Sequence, residues 1–244
     1  MKKDLREKDD AVSPVIALML ILAILATCMA VYTTTYVPGL KQQDEITHTG
    51  EVKLAFMRFA SDIDNVIAQG KPAVYTEVLE LGGGDVPLSP TKSSGTIEIK
   101  PSKIGTYTIG GETKYLNGIA VTYTPSFTAW EKQGYVYQNG VVWITKEEKV
   151  TPAELKLYTI QNGTDRQNET LQKWYPAPSG TVIIPQFTVD ENKTEITGTS
   201  TAKLRLNATL DETETEDVTV TLTTDGTPKV YSKIRWLNIE VSVE

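Results

Sequence analysis

The sequence predicts an α+β protein: a long N-terminal transmembrane or stalk helix followed by an antiparallel, β-sandwich-like head. Three observations carry this. No charged residue occurs between Ala11 and Leu40. From Ile46 to Val66 apolar residues recur at the helical period. After Gly70 the pattern changes to short β-branched or alternating runs bounded by turn residues. The expected organisation is a basic leader over 1–10, an apolar transmembrane helix over 11–37, an amphipathic stalk helix over 38–70 and an extracellular β-rich head over 71–244.

The leader MKKDLREKDD places Lys2, Lys3, Arg6 and Lys8 before the apolar run. Basic residues there hold that end in the cytoplasm, so the bulk of the chain is expected outside. The stretch from Ala11 to Val31, AVSPVIALMLILAILATCMAV, has only Ser13, Thr27 and Cys28 as polar interruptions. At roughly 31 Å as a helix it is long enough to cross a bilayer core. Ser13 suits an N-cap and Pro14 a first helical position, which predicts a helix start near Pro14. The run is longer than the apolar core of a secretory signal, roughly 7 to 15 residues, and the small residues after it, Ala26 and Ala30, fit a signal cleavage site only loosely. Cleavage on the near side would leave the helix on the mature chain.

The second helical stretch carries Ile46, Thr49, Val52, Phe56, Phe59, Ile63 and Val66 on one face, with Asp44, Glu51, Lys53, Arg58 and Asp62 off it. Gly70 and Pro72 close it. Pro38-Gly39 predicts a kink or break just above the membrane, read as a plain boundary or as a hinge used in assembly. The stripe is expected to cover one face of the head's sheet.

In the head, strands are expected at Thr96 to Lys100, Thr181 to Ile184, Lys203 to Leu206, Val218 to Leu222 and Ile234 to Val243. Asn139-Gly140 is the strongest hairpin signal and Gly110-Gly111 a second. These runs carry their own turn signals, so the head is expected to fold without the helices, less stably than with the stalk. Gly82-Gly83-Gly84 reads as a flexible loop, since no helix follows it to make a phosphate cradle. DETETED, Asp211 to Asp217, reads as a solvated loop; a weak calcium site is the sharper option, but the spacing of a known calcium loop is missing. Four Asn-X-Thr sequons, at Asn162, Asn168, Asn192 and Asn207, are candidates for N-glycosylation.

A net charge of -7 and no basic stripe after residue 10 argue against nucleic acid. The one cysteine, Cys28, cannot form an intrachain disulfide. The one histidine, His48, falls in the stalk, where it is read as solvated or helix-packed. A Ser-His-Asp or Cys-His triad and a His-based zinc site in the head are therefore excluded. A carboxylate pair needs no histidine, so a surface hydrolase stays open as a third reading, though no catalytic residue, metal ligand or cofactor is assigned and the chain is not expected to be an enzyme. Trp130, Trp143, Trp174 and Trp236, with most of the tyrosines, suit core and strand packing before a sugar-binding face.

The segment DDAVSPVIALMLILAILA, Asp9 to Ala26, resembles the N-terminal motif of archaeal type IV pilins, in which a charged pair precedes A-V-S-P-V-I and an unbroken apolar helix. YVPGLKQQDEITHTGEVKLAFMRFASDID and LGGGDVPLSPTKSSGTIEI are similar to stretches of one group of such proteins, and the resemblance covers about the first 145 residues. Ala17 stands where the family often has Gly. The resemblance implies a prepilin peptidase acting at the junction Asp9, Asp10, Ala11, Val12, Ser13, Pro14, with the cut before or after Ala11. It further implies other pilin subunits as partners through the N-terminal helix, and a location in the cell membrane and then in a surface filament. The expected function is that of a major or minor pilin supporting adhesion or assembly, with surface glycans or host or abiotic surfaces as targets. The alternative is an uncleaved single-pass anchor presenting a lectin-like head.

Overall fold

A computed structural model of the chain describes residues 6–83, 86, 87, 89, 91–147, 149–153, 163–224 and 226–244. Helix α1 spans Arg6–Val31, a π-helical segment spans Tyr32–Tyr36 and α2 spans Val37–Gln69. The helix thus starts eight residues before the expected Pro14, which lies inside it, so Ser13 is not a cap. The leader residues Arg6, Glu7 and Lys8 are good helix formers that carry the winding back. At Pro38, where a kink or break is expected, the helix is not broken. The preceding turn widens instead: the Val37 N–H donates to the Tyr32 carbonyl, five residues back. A widened turn accommodates a proline that can neither donate nor tolerate the carbonyl four residues earlier. Helix α2 ends at Gly70 as expected, with φ 58° and its N–H donating to the Val66 carbonyl at 2.9 Å.

The strands are β1 (Ala73–Glu80), β2 (Ser94–Ile109), β3 (Glu112–Ser126), β4 (Gln133–Gln138), β5 (Val141–Lys146) and β6 (Lys149–Pro152), then β7 (Thr181–Val189), β8 (Glu195–Gly198), β9 (Thr201–Leu210), β10 (Thr215–Leu222) and β11 (Pro228–Val243). All five expected runs lie in strands. Both hairpin signals are turns at positive φ: Asn139 at 46° with Gly140 at 87°, and Gly110 at 58° with Gly111 at 88°. Helix α3 at Gly163–Trp174 was not foreseen, nor were the short strands β6 and β8.

Among the described residues the eleven strands form one hydrogen-bonded sheet in the order β1-β9-β11-β10-β2-β3-β4-β5-β6, with β7 on β11 and β8 on β2. The antiparallel head is therefore present, and the pairing does not divide it into two separate sheets. Among the described residues the one parallel pair is β7 with β11. β9 and β10 follow one another along β11: Leu210 faces Leu237, Thr215 faces Ile234, and the Asp211 N–H still donates to the Trp236 carbonyl at 2.9 Å. The acidic stretch thus begins in the short connection between β9 and β10 and continues into β10, where a fully looped segment was expected.

Helix α2 is a core element. Phe56, Phe59, Ile63 and Val66 are fully buried with Ile97, Val121, Leu204 and Leu237 in one cluster. The Phe59 ring meets Tyr137 edge-on at 5.3 Å and Phe56 lies 6.0 Å from Tyr135.

Candidate functional site

The feature with no place in a self-contained globule is the N-terminal helix. Every residue from Pro14 to Val31 is exposed, Leu22 at 57% and Ile24 at 62%, and the helix is long and apolar enough to cross a membrane. Its hydroxyls are internally satisfied: Thr27 Oγ1 donates to the Ala23 carbonyl at 2.7 Å, and Thr33 and Thr34 donate to carbonyls one turn back. A hydroxyl bonded in this way enters an apolar environment without an orphan donor. The junction from Asp9 to Ser13 follows the helical backbone, with Pro14 exposed just beyond it. Cys28 is exposed on the same helix.

The apolar helix is mounted on the head through a polar seat that the apolar pattern concealed. Lys41, Glu45, His48 and Val52 follow one another at four, three and four residues and continue the buried face of α2. Ile46, expected on that face, is 39% exposed. The polar side chains fit because the head offers them backbone groups. Lys41 Nζ donates to the carbonyl and hydroxyl oxygens of Thr91, at 2.6 and 2.8 Å. The Glu45 carboxylate accepts from the Ser93 hydroxyl, the Thr128 N–H at 3.0 Å and the Ala129 N–H at 2.9 Å. Burial alone would raise the Glu45 pKa, but these donors, with the Trp130 N–H, hold the carboxyl below its ordinary value.

His48 is equally committed. The Tyr123 hydroxyl donates to the Leu81 carbonyl at 3.0 Å, so His48 Nε2, 3.0 Å from that hydroxyl, is the donor to it. The imidazole lies edge-on to Tyr123 and Phe127 and is buried, which pushes its pKa below the usual value against the pull of Glu51, Glu80 and Asp44. Two residues of the glycine run, Gly82 and Gly83, pack closely against this seat. A Cβ on Gly82 would run into the Ser93 backbone, and one on Gly83 would lie 2.8 Å from the His48 Cβ. Gly84 lies outside the described residues.

The remaining candidates are scattered. Asn192 is exposed in the turn before β8, Asn207 is half-buried in mid-β9, Asn168 is half-buried on α3, and Asn162 lies outside the described residues. In the acidic stretch, Glu214 lies 3.1 Å and Glu216 3.5 Å from Lys233, and Asp211 accepts from the Asn238 amide at 3.1 Å. Among the described residues no group of three or more acidic, histidine or cysteine side chains is placed to hold a metal ion. Of the tryptophans, Trp174 packs on Phe187 and donates to Asp64 at 3.0 Å, and Trp236 packs on Tyr107. Both are buried, while Trp130 and Trp143 are half-buried. No family model, curated protein or solved structure matches this chain.

Proposed function

We propose that the chain is a structural subunit, a pilin, of a surface filament of the archaeal type IV kind, anchored in the membrane before assembly and held in the filament by its N-terminal helix. The observation that carries this reading is one continuous helix with two opposite surroundings. From Pro14 to Val31 it is uncharged and exposed on all sides; its second half is built into the core of the head. A free apolar helix of this length is stable only in lipid or against other apolar helices. The buried Lys41, Glu45 and His48 fix the head rigidly to it, so movement of the helix carries the head along. The resemblance of Asp9 to Ala26 to the pilin junction supports processing beside Ala11 by a prepilin peptidase. We read the head, whose sheet packs on α2, as the sandwich-like displayed part. Asn192 is the sequon best placed for a glycan.

Expression in an archaeal host with and without its prepilin peptidase tests the reading. With the peptidase, the chain is expected in filaments sheared from the surface; without it, only in membranes. Equal distribution in the two hosts would favour a permanent single-pass anchor.

A further inference from the structure

Charge alone does not set the depth of the apolar helix in a bilayer. The uncharged run from Ala11 to Leu40 is about 45 Å long as a helix, whereas a hydrocarbon core takes about 20 residues and 30 Å. A helix free to slide over that difference of about 15 Å would hold neither the Asp9 to Ala11 junction nor the head at a defined height. Within the run Tyr32 and Tyr36 are the only aromatic residues. They lie one turn apart, their rings stacked at 6.2 Å and 10°, with Tyr36 65% exposed. The first buried residue among the helix's described side chains, Val37, comes directly after them.

We infer that Tyr32 and Tyr36 are the outer interfacial anchor of the membrane-inserted chain: they sit in the headgroup layer and fix the height of the helix before assembly. The inference rests on the membrane-anchored state proposed above. A tyrosine, apolar in its ring and wet at its hydroxyl, is favoured at the boundary between hydrocarbon and headgroups. With that boundary at Tyr32, a core of about 20 residues runs back to Val12 and brings Asp10 and Ala11 to the opposite boundary, so no charge enters the hydrocarbon. The backbone points to the same place independently. Tyr32–Tyr36 is the π-helical segment, where the regular bonding of the helix is interrupted. Irregular backbone is costly in hydrocarbon and cheap where water reaches it. Beyond Tyr36 the next charge is Lys41, about 7.5 Å along the axis, which is the depth of a headgroup layer at roughly 5 to 8 Å. The layer therefore ends where Lys41 bonds to Thr91 and the head's seat begins.

Thiol labelling of the full chain in phosphatidylcholine vesicles tests this, with an impermeant maleimide on both sides of the membrane. Cys28→Ala removes the only native thiol, and Leu22→Cys, Ala30→Cys and Leu40→Cys, made singly, report on depth. With both tyrosines in place, positions 22 and 30 are expected to be protected and position 40 to react. Replacing Cys28→Ala by Cys28→Tyr and adding Tyr36→Ala moves the pair one turn, about 6 Å, toward the N-terminus. The boundary should follow: position 30, now between the two tyrosines, is expected to label at least about threefold more, while position 22 stays protected. Unchanged protection of position 30 would overturn the inference and leave the membrane reading standing. Protection of position 30 that fades as the protein is diluted in lipid would assign the tyrosines to a second copy of the chain, and would overturn it too. Labelling of position 22 with the tyrosines in place would instead refute the membrane reading, and the inference with it.

Discussion

Glu45 shows how much one side chain can carry in this molecule. Fully buried, it accepts from a hydroxyl and from successive backbone N–H groups of the segment after β3. Glu45→Ala would leave those donors without a partner in a dry site, at about 1 to 3 kcal/mol for each one orphaned. Chemical denaturation of the head is expected to lose at least about 2 kcal/mol by this change and clearly less by Glu45→Gln, which keeps an acceptor. His48 gives the seat a pH dependence. Its folded pKa lies below the unfolded value of about 6.5, so the unfolded chain binds the proton more tightly. The stability it supports is therefore present above about pH 6.5 and is lost as pH falls through that value toward the depressed folded pKa. Glu45 acts in a lower window, its contribution being lost as pH falls below the ordinary carboxylate range of about 4. Melting temperatures between pH 7 and 5 are expected to fall for the parent and to stay flat for His48→Phe; parallel curves would refute this assignment. Neither residue was legible as buried from the sequence. A charged residue at a core position makes sense only once its partners are known, and Ser93, Thr128 and Ala129 lie far away in the chain. The signal that was present is the spacing: positions 41, 45 and 48 continue the helical series of Val52, Phe56 and Phe59.

At the scale of elements, α2 joins the apolar helix to the head, and it belongs to the head's core. Phe56, Phe59, Ile63, Val66 and Val52 are buried there, and at about 1.5 to 3 kcal/mol each they rival the whole stability of an ordinary domain, about 5 to 15 kcal/mol. A chain truncated to 71–244 is thus expected to lack a cooperative melt, whereas 37–244 should melt cooperatively as a β-rich monomer; equal melts would contradict the core assignment. This replaces the expectation that the head folds alone, which followed from strand runs that carry their own turns. Helix α1 makes the opposite prediction. Leu22→Lys places a charge amid exposed apolar residues, at a cost of about 2.5 to 3.5 kcal/mol at a bilayer centre. It should stop insertion or assembly while the head melts as before, and normal filament levels would refute the packing. The elements read most clearly were those with local codes: the uninterrupted apolar run, Asn139-Gly140, and the β-branched runs. Helix α3 was missed because its residues, GTDRQNETLQKW, are mostly polar, and among its described side chains Leu171 and Trp174 alone are buried. The winding through Pro38 was missed because the widened turn that tolerates it uses Thr33 and Thr34, which carry no such signal alone.

The whole molecule is a head on an exposed helix, and the order of parts was legible because hydrophobicity and charge are so unevenly distributed along the chain. How the strands join into one sheet was not, since β11 pairs with β7, β9 and β10 through contacts far apart in sequence. The central claim is that the leader is removed and the apolar helix retained, because a chain that keeps its basic leader stays pinned to the membrane and cannot enter a filament. Mass spectrometry of the N-terminus, taken separately from membranes and from sheared surface material, tests it most directly. The account predicts that the sheared chain begins immediately before or after Ala11. A sheared chain beginning after Ala30, or an intact Met1 found only in membranes, would contradict it.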